Sequence, residues 1–365
     1  MFMNKLFFFL ALFCFFFNQP ARSQLVNSGN VGGRNVAVPF QLLSADAISS
    51  GMGDAGSALL SKGGTFESGT AKAAFTEERF GVNLTYTPWL KKLVSDRKLL
   101  YAGGFGRLSP KLTLTASVNY LSYGQVDLID ENRSEIGSVE PSEFVGSIGV
   151  AKSFGNRFSL GMNVKLIGSN MYSGGVNRNG MQSATTYCID ISSFHLFPMG
   201  LRPGGSSFAM ALILQNIGPK MSYFNQPNQK YFLPSNLKIG GTLKLVDQGG
   251  STFSFALDIS KMLVPNGDFA QEKSVAEGIV SSFQNNEGLD DIGCSAGAEY
   301  VFLNRLAFRA GYNYQGDNRL LGSFFSLGTG FTNKRLAVNF CYLIANPQKT
   351  FLSNTLRISF GYSVL

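Results

Sequence analysis

Beyond its first two dozen residues the sequence has no apolar run long enough to cross a bilayer as a helix, which takes ~20 residues. Charge is scarce as well. Asp, Glu, Lys and Arg make up 15% of the chain and aromatic residues 13%, whereas a soluble domain of this length carries ~25% charge. The deficit favours a surface that faces lipid. There is a single histidine, His195, and no His/Cys cluster with metal-ligand spacing. Of four cysteines, Cys14 falls in the N-terminal apolar run. The other three, Cys188, Cys294 and Cys341, are an odd number, each inside an expected strand. A disulfide framework would set paired cysteines in the loops of a small domain, so buried free thiols are expected here. The formal charge of +8 has no Lys/Arg stripe interleaved with aromatics, which argues against nucleic acid as a partner.

What the chain does have begins with an export signal. Lys5 precedes an apolar core from Leu6 to Phe17, and Ala21-Arg22-Ser23 offers small residues for cleavage before Gln24. From Arg79 onward the pattern has a period of two. Leu112, Leu114, Ala116, Val118 and Tyr120 alternate with Thr113, Thr115, Ser117 and Asn119, and Leu356, Ile358, Phe360, Tyr362 and Val364 alternate with Arg357, Ser359, Gly361 and Ser363. Strands apolar on one face and polar on the other are the result. Fourteen such segments are expected, near 80–87, 98–107, 110–122, 143–153, 157–168, 183–193, 206–216, 236–246, 251–260, 291–302, 304–314, 321–331, 335–344 and 354–364. Connections after even-numbered strands are tight, as at Leu303-Asn304, with 194–205 a longer exception. Those after odd-numbered strands are mostly long, and this asymmetry places the short side in the periplasm.

The fold expected is therefore all-β, a transmembrane antiparallel β-barrel of about 14 strands with an N-terminal plug segment in its lumen. The division is signal peptide 1–23, plug or arm 24–78 and outer-membrane barrel 79–365, with both termini periplasmic. A soluble sandwich also alternates, but it would not keep an apolar face through every strand. Within the arm, Pro39 to Ser50 has the makings of one short helix ended by the glycines from Gly51.

Two enzyme signatures occur out of context. Gly51-Met-Gly-Asp-Ala-Gly56 fits the dinucleotide fingerprint, which works only between a strand and a helix of a βαβ unit. None is present, so Gly51, Gly53, Asp54 and Gly56 are expected to pack inside a crowded lumen, and no cofactor is expected. Gly293-Cys-Ser-Ala-Gly297 fits a nucleophile elbow, yet Ser295 falls mid-strand and His195 in a connection on the periplasmic side, so the serine-hydrolase arrangement does not assemble.

Alternation points Lys165, Lys238, Lys244, Arg309 and Arg357 into the lumen with Asp190, Asp258 and Glu299. These charges could line a wide aqueous pore or pair with one another and with the plug; either makes a poor apolar conduit. Two long loops carry apolar residues. Trp89 and Leu90 occupy the first, as interfacial anchors or partner contacts. In the segment 261–290, Val275, Ile279 and Phe283 recur every four residues on an expected helix within Phe269–Phe283, either a lid or a partner-binding surface.

Several short runs, in this order, resemble the PorV family of outer-membrane proteins of the type IX secretion system. They are Gly33-Arg-Asn-Val-Ala-Val-Pro-Phe40, Ala45-Asp46, Gly51-Met-Gly-Asp-Ala-Gly56, Ala71-Lys-Ala-Ala-Phe75, Tyr86-Thr-Pro-Trp-Leu90, Asp291-Ile-Gly293, Ala298-Glu-Tyr300, Arg309-Ala-Gly-Tyr312 and Asn354-Thr-Leu-Arg-Ile-Ser359. The chain departs from that family in having Ser68-Gly-Thr70 where an Asn-Pro pair is usual, and in ending on Leu365 rather than an aromatic residue. PorV-like proteins are similar to the FadL barrels and are not enzymes. The resemblance implies a barrel, set in outer-membrane lipid, that receives cargo with C-terminal signal domains from a SprA-type translocon and passes it to a PorU-type sortase complex. Trp89, Leu90, Ile279 and Phe283 would then be partner contacts. A FadL-like transporter of small hydrophobic molecules is the alternative.

Overall fold

A computed structural model describes residues 36–88, 97–129, 135–171, 182–200, 205–224, 230–247, 250–265, 272–284, 292–316, 322–345 and 355–364. The expected signal peptide, Trp89 and Leu90 lie outside the described residues. Fourteen antiparallel strands close into a barrel in which the first, β1 (Phe80–Pro88), pairs with the last, β18 (Thr355–Val364). Closure leaves no unpaired strand edge, the condition for β-structure in lipid.

Alternation of side chains builds the wall. Along β18, Leu356, Phe360 and Tyr362 are exposed on the outside while Arg357, Ser359 and Ser363 are buried inside. The fourteen expected segments coincide with the observed strands to within a few residues, apart from β8 (Ala184–Pro198). That strand continues through Phe194, His195, Leu196 and Phe197, which is why the connection after it looked too long. His195 is thus a strand residue, not a loop residue. It faces outward in an aromatic row near the short-turn end, its ring 4.5 Å from Phe158 and 6.3 Å from Phe197. Aromatic side chains gather at such boundaries because one part of the ring is apolar and the other tolerates water.

The long connections hold structure the period-two pattern did not signal. β4 (Val126–Ile129) pairs with β5 (Glu135–Val139), and β10 (Met221–Ser222) with β11 (Lys230–Tyr231). In the segment 261–290 a helix runs over Val275–Gln284, starting later than expected. The three thiols are free, but only Cys188 and Cys341 are buried inside the barrel. Cys294 is half-exposed and stands opposite the outward Ile259 on the wall.

Residues 36–79 occupy the lumen from one mouth to the other. On the long-loop side Val36 bridges Phe232, and the Ala37 N–H donates to the Phe232 carbonyl at 2.8 Å. On the short-turn side the Arg79 N–H donates to the Val364 carbonyl at 2.8 Å. Val36 thus lies at the long-loop mouth and Val364 at the short-turn one, while the N-terminal residues to which the expectation of periplasmic ends applies lie outside the described residues. The single expected helix is two pieces, a 3₁₀ turn at Pro39–Leu42 and α1 at Ala47–Gly51. Asp46 separates them. Its backbone is extended and its carboxylate accepts the Ile48 and Ser49 N–H groups at 2.9 and 2.8 Å, an N-cap that starts a new helix.

Candidate functional site

The upper lumen is an apolar core. Ala37, Val38, Phe40, Leu43 and Ala47 from the arm pack against inward wall residues including Leu99, Leu121, Val145, Ile167 and Leu343. Below it the packing becomes polar, because inward positions there are Ser, Thr, Asn and charged residues. The same Asp46 carboxylate that caps α1 also accepts from Thr65 Oγ1 at 2.6 Å, drawing two parts of the arm together.

Most of the expected lumen charges are paired or bound to the arm. Lys165 Nζ lies 2.7 Å from Asp190 and donates to Asn216 Oδ1 at 2.9 Å. Arg309 Nε donates to Glu299 at 2.6 Å and its terminal nitrogen to Asn339 at 3.0 Å. Asp258 accepts the Ser57 N–H of the arm at 3.0 Å, and Arg357 donates to the Ser44 carbonyl and to Ser50 Oγ. Lys238 is half-buried and lines a cavity beside the arm, whereas Lys244 is half-exposed, toward the short-turn mouth. Of the two alternatives left open by the sequence, paired charges rather than a charged pore describe this lumen.

Sequence reasoning missed the arm's own ionisable residues. Glu67 accepts from Ser117 Oγ at 2.9 Å and Asn119 Nδ2 at 2.6 Å, and burial pushes its carboxyl up against the pull of Lys165. Lys72 lies in a 3₁₀ turn, Thr70–Phe75, and donates to the Gly56 carbonyl at 2.7 Å and Ser68 Oγ at 2.9 Å. Burial lowers its ammonium to about 8 despite the opposing charges of Asp46 and Asp258. Both fall in a Gly/Ser-rich stretch without periodicity, so no pattern marked them as inward.

Of the fingerprint glycines, Gly51 and Gly53 lie against the wall and Gly56 against Ser49 of the arm. Gly53 has φ +67°, and a Cβ there would stand 2.6 Å from the Tyr312 backbone; the opposing Gly311 would put its own Cβ 2.1 Å from Gly53 N. Two glycines face to face let two backbones touch. Gly51 rests on the Arg309 stem, Gly56 supplies the carbonyl that holds Lys72, and Asp54 is buried with φ +63°. Ser295 is inward on β14 (Ile292–Phe302), where Asn313 Nδ2 donates to it at 2.8 Å.

The helix Val275–Gln284, α2, stands on the long-loop side. Gly278, Ser281 and Ser282 are its buried face, Ile279 is half-buried, and Val280 and Phe283 are exposed. Its buried face is thus made of small residues rather than the Val275, Ile279, Phe283 stripe. A Cβ at Gly278 would stand 2.9 Å from the Phe232 ring and 3.0 Å from Pro265, so a larger side chain there would have to push these neighbours aside.

Solved structures share this architecture. A TodX deltaS2S3 mutant monoaromatic hydrocarbon channel superposes with TM-score 0.54 at 12% identity, covering 89% of this chain and 100% of that one. The CymD monoaromatic hydrocarbon channel gives 0.51 at 14% identity, with 88% and 98% covered. The Ralstonia pickettii toluene transporter TbuX gives 0.50 at 12%, with 89% and 100% covered. No curated protein sequence matches the chain. A closed fourteen-stranded antiparallel barrel around an N-terminal segment is the class of fold the chain shares with those channels. Sequence narrows the class: the family described as Type IX secretion system protein PorV matches residues 30–268. The chain belongs to the PorV family.

Proposed function

We propose that this barrel is a non-conducting, non-enzymatic carrier of type IX secretion, working by its long-loop side. It would receive cargo bearing C-terminal signal domains from a SprA-type translocon and hand it to a PorU-type sortase complex. The observation that carries the reading is the filled lumen. Two cavities between arm and wall measure about 30 Å³ each, room for water molecules, whereas a small-molecule site takes ~300 Å³ or more. At the short-turn mouth, Lys62 Nζ donates to the Lys334 carbonyl at 2.6 Å and lies 3.9 Å from Glu78, so the arm is held there as well. A lumen occupied from mouth to mouth leaves the outer loops as the working surface. Trp89 and Leu90, on the first of them, are the proposed partner contacts, with Ile279 a half-buried support; Phe283 is assigned differently below.

The likeness to hydrocarbon channels is one of fold, and the paired lumen charges give the transporter alternative no apolar path. The experiment is isolation of the tagged protein from outer membranes, with co-isolated proteins identified by mass spectrometry. Signal-domain cargo and a SprA-type barrel are expected, with loss of cargo when Trp89 is changed to Ala and insertion is intact. Intact secretion in a strain lacking the gene, with failed uptake of a hydrophobic compound, would overturn the carrier in favour of the transporter.

A further inference from the structure

The outer face of α2 is unusual in what it shows to the surroundings. Ala276, Val280 and Phe283, spaced i, i+4 and i+7, form an exposed stripe, with Val280 56% and Phe283 58% exposed. Burial of Gly278 on Phe232 and Pro265 fixes the helix in that rotation. A capping box fixes its start: the Ser274 N–H donates to Glu277 Oε2 at 2.8 Å and the Glu277 N–H to Ser274 Oγ at 3.2 Å. The large apolar residues are thus held outward by rigid packing behind them.

Their position relative to the wall says what lies opposite. On β13 (Thr252–Met262), Phe253, Phe255, Leu257 and Ile259 form one outward column, each 39–50% exposed, and face the hydrocarbon. Lys261 is the next outward residue, ~6.8 Å above Ile259, and its Nζ stands 5.7 Å from the centre of the Phe283 ring. Phe283 therefore sits over the lipid-facing column, one step above the apolar band. Further cations flank the helix. Lys220 Nζ lies 4.2 Å over the ring of Phe232, with Lys230 near Lys220 and Lys273 near Glu277. Among the described residues next to the helix in sequence the acids are Glu272, one turn before the helix proper, and Glu277, which is engaged in the cap.

An aromatic residue with Lys261 beside it at the top of a lipid-facing column, and further lysines on the flank of its helix, matches the headgroup zone of a bilayer. We propose that Val280 and Phe283 seat α2 on the outer leaflet, with Lys220, Lys230 and Lys261 meeting the anionic phosphates of its headgroups. The helix tethers its long loop to the membrane surface and so fixes the height at which the rim is presented. This rests on the barrel's place in the outer membrane and not on the carrier reading.

The test uses the full-length protein reconstituted in phosphatidylcholine vesicles, with or without anionic phosphatidylglycerol. In a Trp89→Phe background, tryptophan is placed by Phe283→Trp, and as a control by Gln125→Trp on the exposed turn before β4. Lipids brominated near the top of the acyl chains should quench position 283 several-fold more than position 125. Lys220→Gln with Lys230→Gln and Lys261→Gln should reduce that quenching in the anionic vesicles and leave the phosphatidylcholine value near its starting point. Equal quenching at 283 and 125 would overturn the proposal. Cargo co-isolation with Phe283→Ser and Val280→Ser should be unchanged, and its loss with lipid quenching intact would also reassign the surface.

Discussion

Gly53→Val isolates the contact between arm and wall. At φ +67° any residue with a Cβ meets its own backbone at a cost of about 1–2 kcal/mol. The new Cβ would stand 2.6 Å from both N and O of Tyr312, and no side-chain rotation relieves a clash with strand backbone. Overpacking of that kind adds about 1–3 kcal/mol. Together they weaken the seated arm by about 2–5 kcal/mol, a shift of about 30-fold or more between seated and released states. Gly155→Ala is the control, since Gly155 has φ +86° with nothing within 4 Å of its Cβ position; it carries strain without a clash. Hydrogen exchange of the amides from Ala47 to Leu59, in folded protein, reads the difference. Gly53→Val should raise exchange through this stretch while the barrel strands stay protected. Equal behaviour of the two variants would refute the argument that a rigid wall stands behind Gly53.

The closed wall should make the protein migrate differently before and after boiling in detergent gels; identical migration, with extraction by carbonate alone, would sink the barrel. Lys165→Met strands the buried Asp190 carboxylate and should cost about 3–5 kcal/mol, seen as a lower urea midpoint in micelles, with part regained on adding Asp190→Asn; no change in the midpoint would mean the pair is hydrated. For Lys72, the folded ammonium is lowered to about 8 while a released one titrates near ~10.4. Between these values the released arm binds more protons, so seating strengthens as pH rises from about 8 toward 10 and is weakest below 8. Protection factors at Ala71 to Ala74, corrected for intrinsic exchange, should rise across that window, and a flat profile would show that Lys72 is not buried as described.

Period-two alternation made the wall legible because each strand separates lipid from a polar interior, and most inward charges were found by counting in twos, Glu143 at the start of its strand being missed. Arg309 and Glu299, both pointed inward by that counting, stand opposite each other on neighbouring strands. It had no purchase on the arm, whose conformation is set by contacts far along the chain, such as Ala47 with Ser359. Asp46 looked like part of a helix because its capping role depends on a backbone bend that composition does not mark. On α2 the apolar spacing of Val275, Ile279 and Phe283 left a lid and a partner-binding surface open. The structure turns the helix by its smallest residue, Gly278, and a missing side chain leaves no hydrophobic signal. His195 was read as a loop residue since Phe194 to Phe197 interrupts strict alternation where the wall reaches the membrane boundary.

The seam between the first and last strands bears on how such a molecule is assembled. The arm precedes β1 in sequence and fills a lumen whose wall is complete only with β18 in place. β18 also carries Arg357 and Ser359, which hold Ser44, Ser50 and Ala47 of the arm. The strand that completes the ring is therefore one that grips the contents. A chain that lost its last ten residues would lack both the final wall segment and a clasp on what the wall encloses, so sealing and holding fall to one strand.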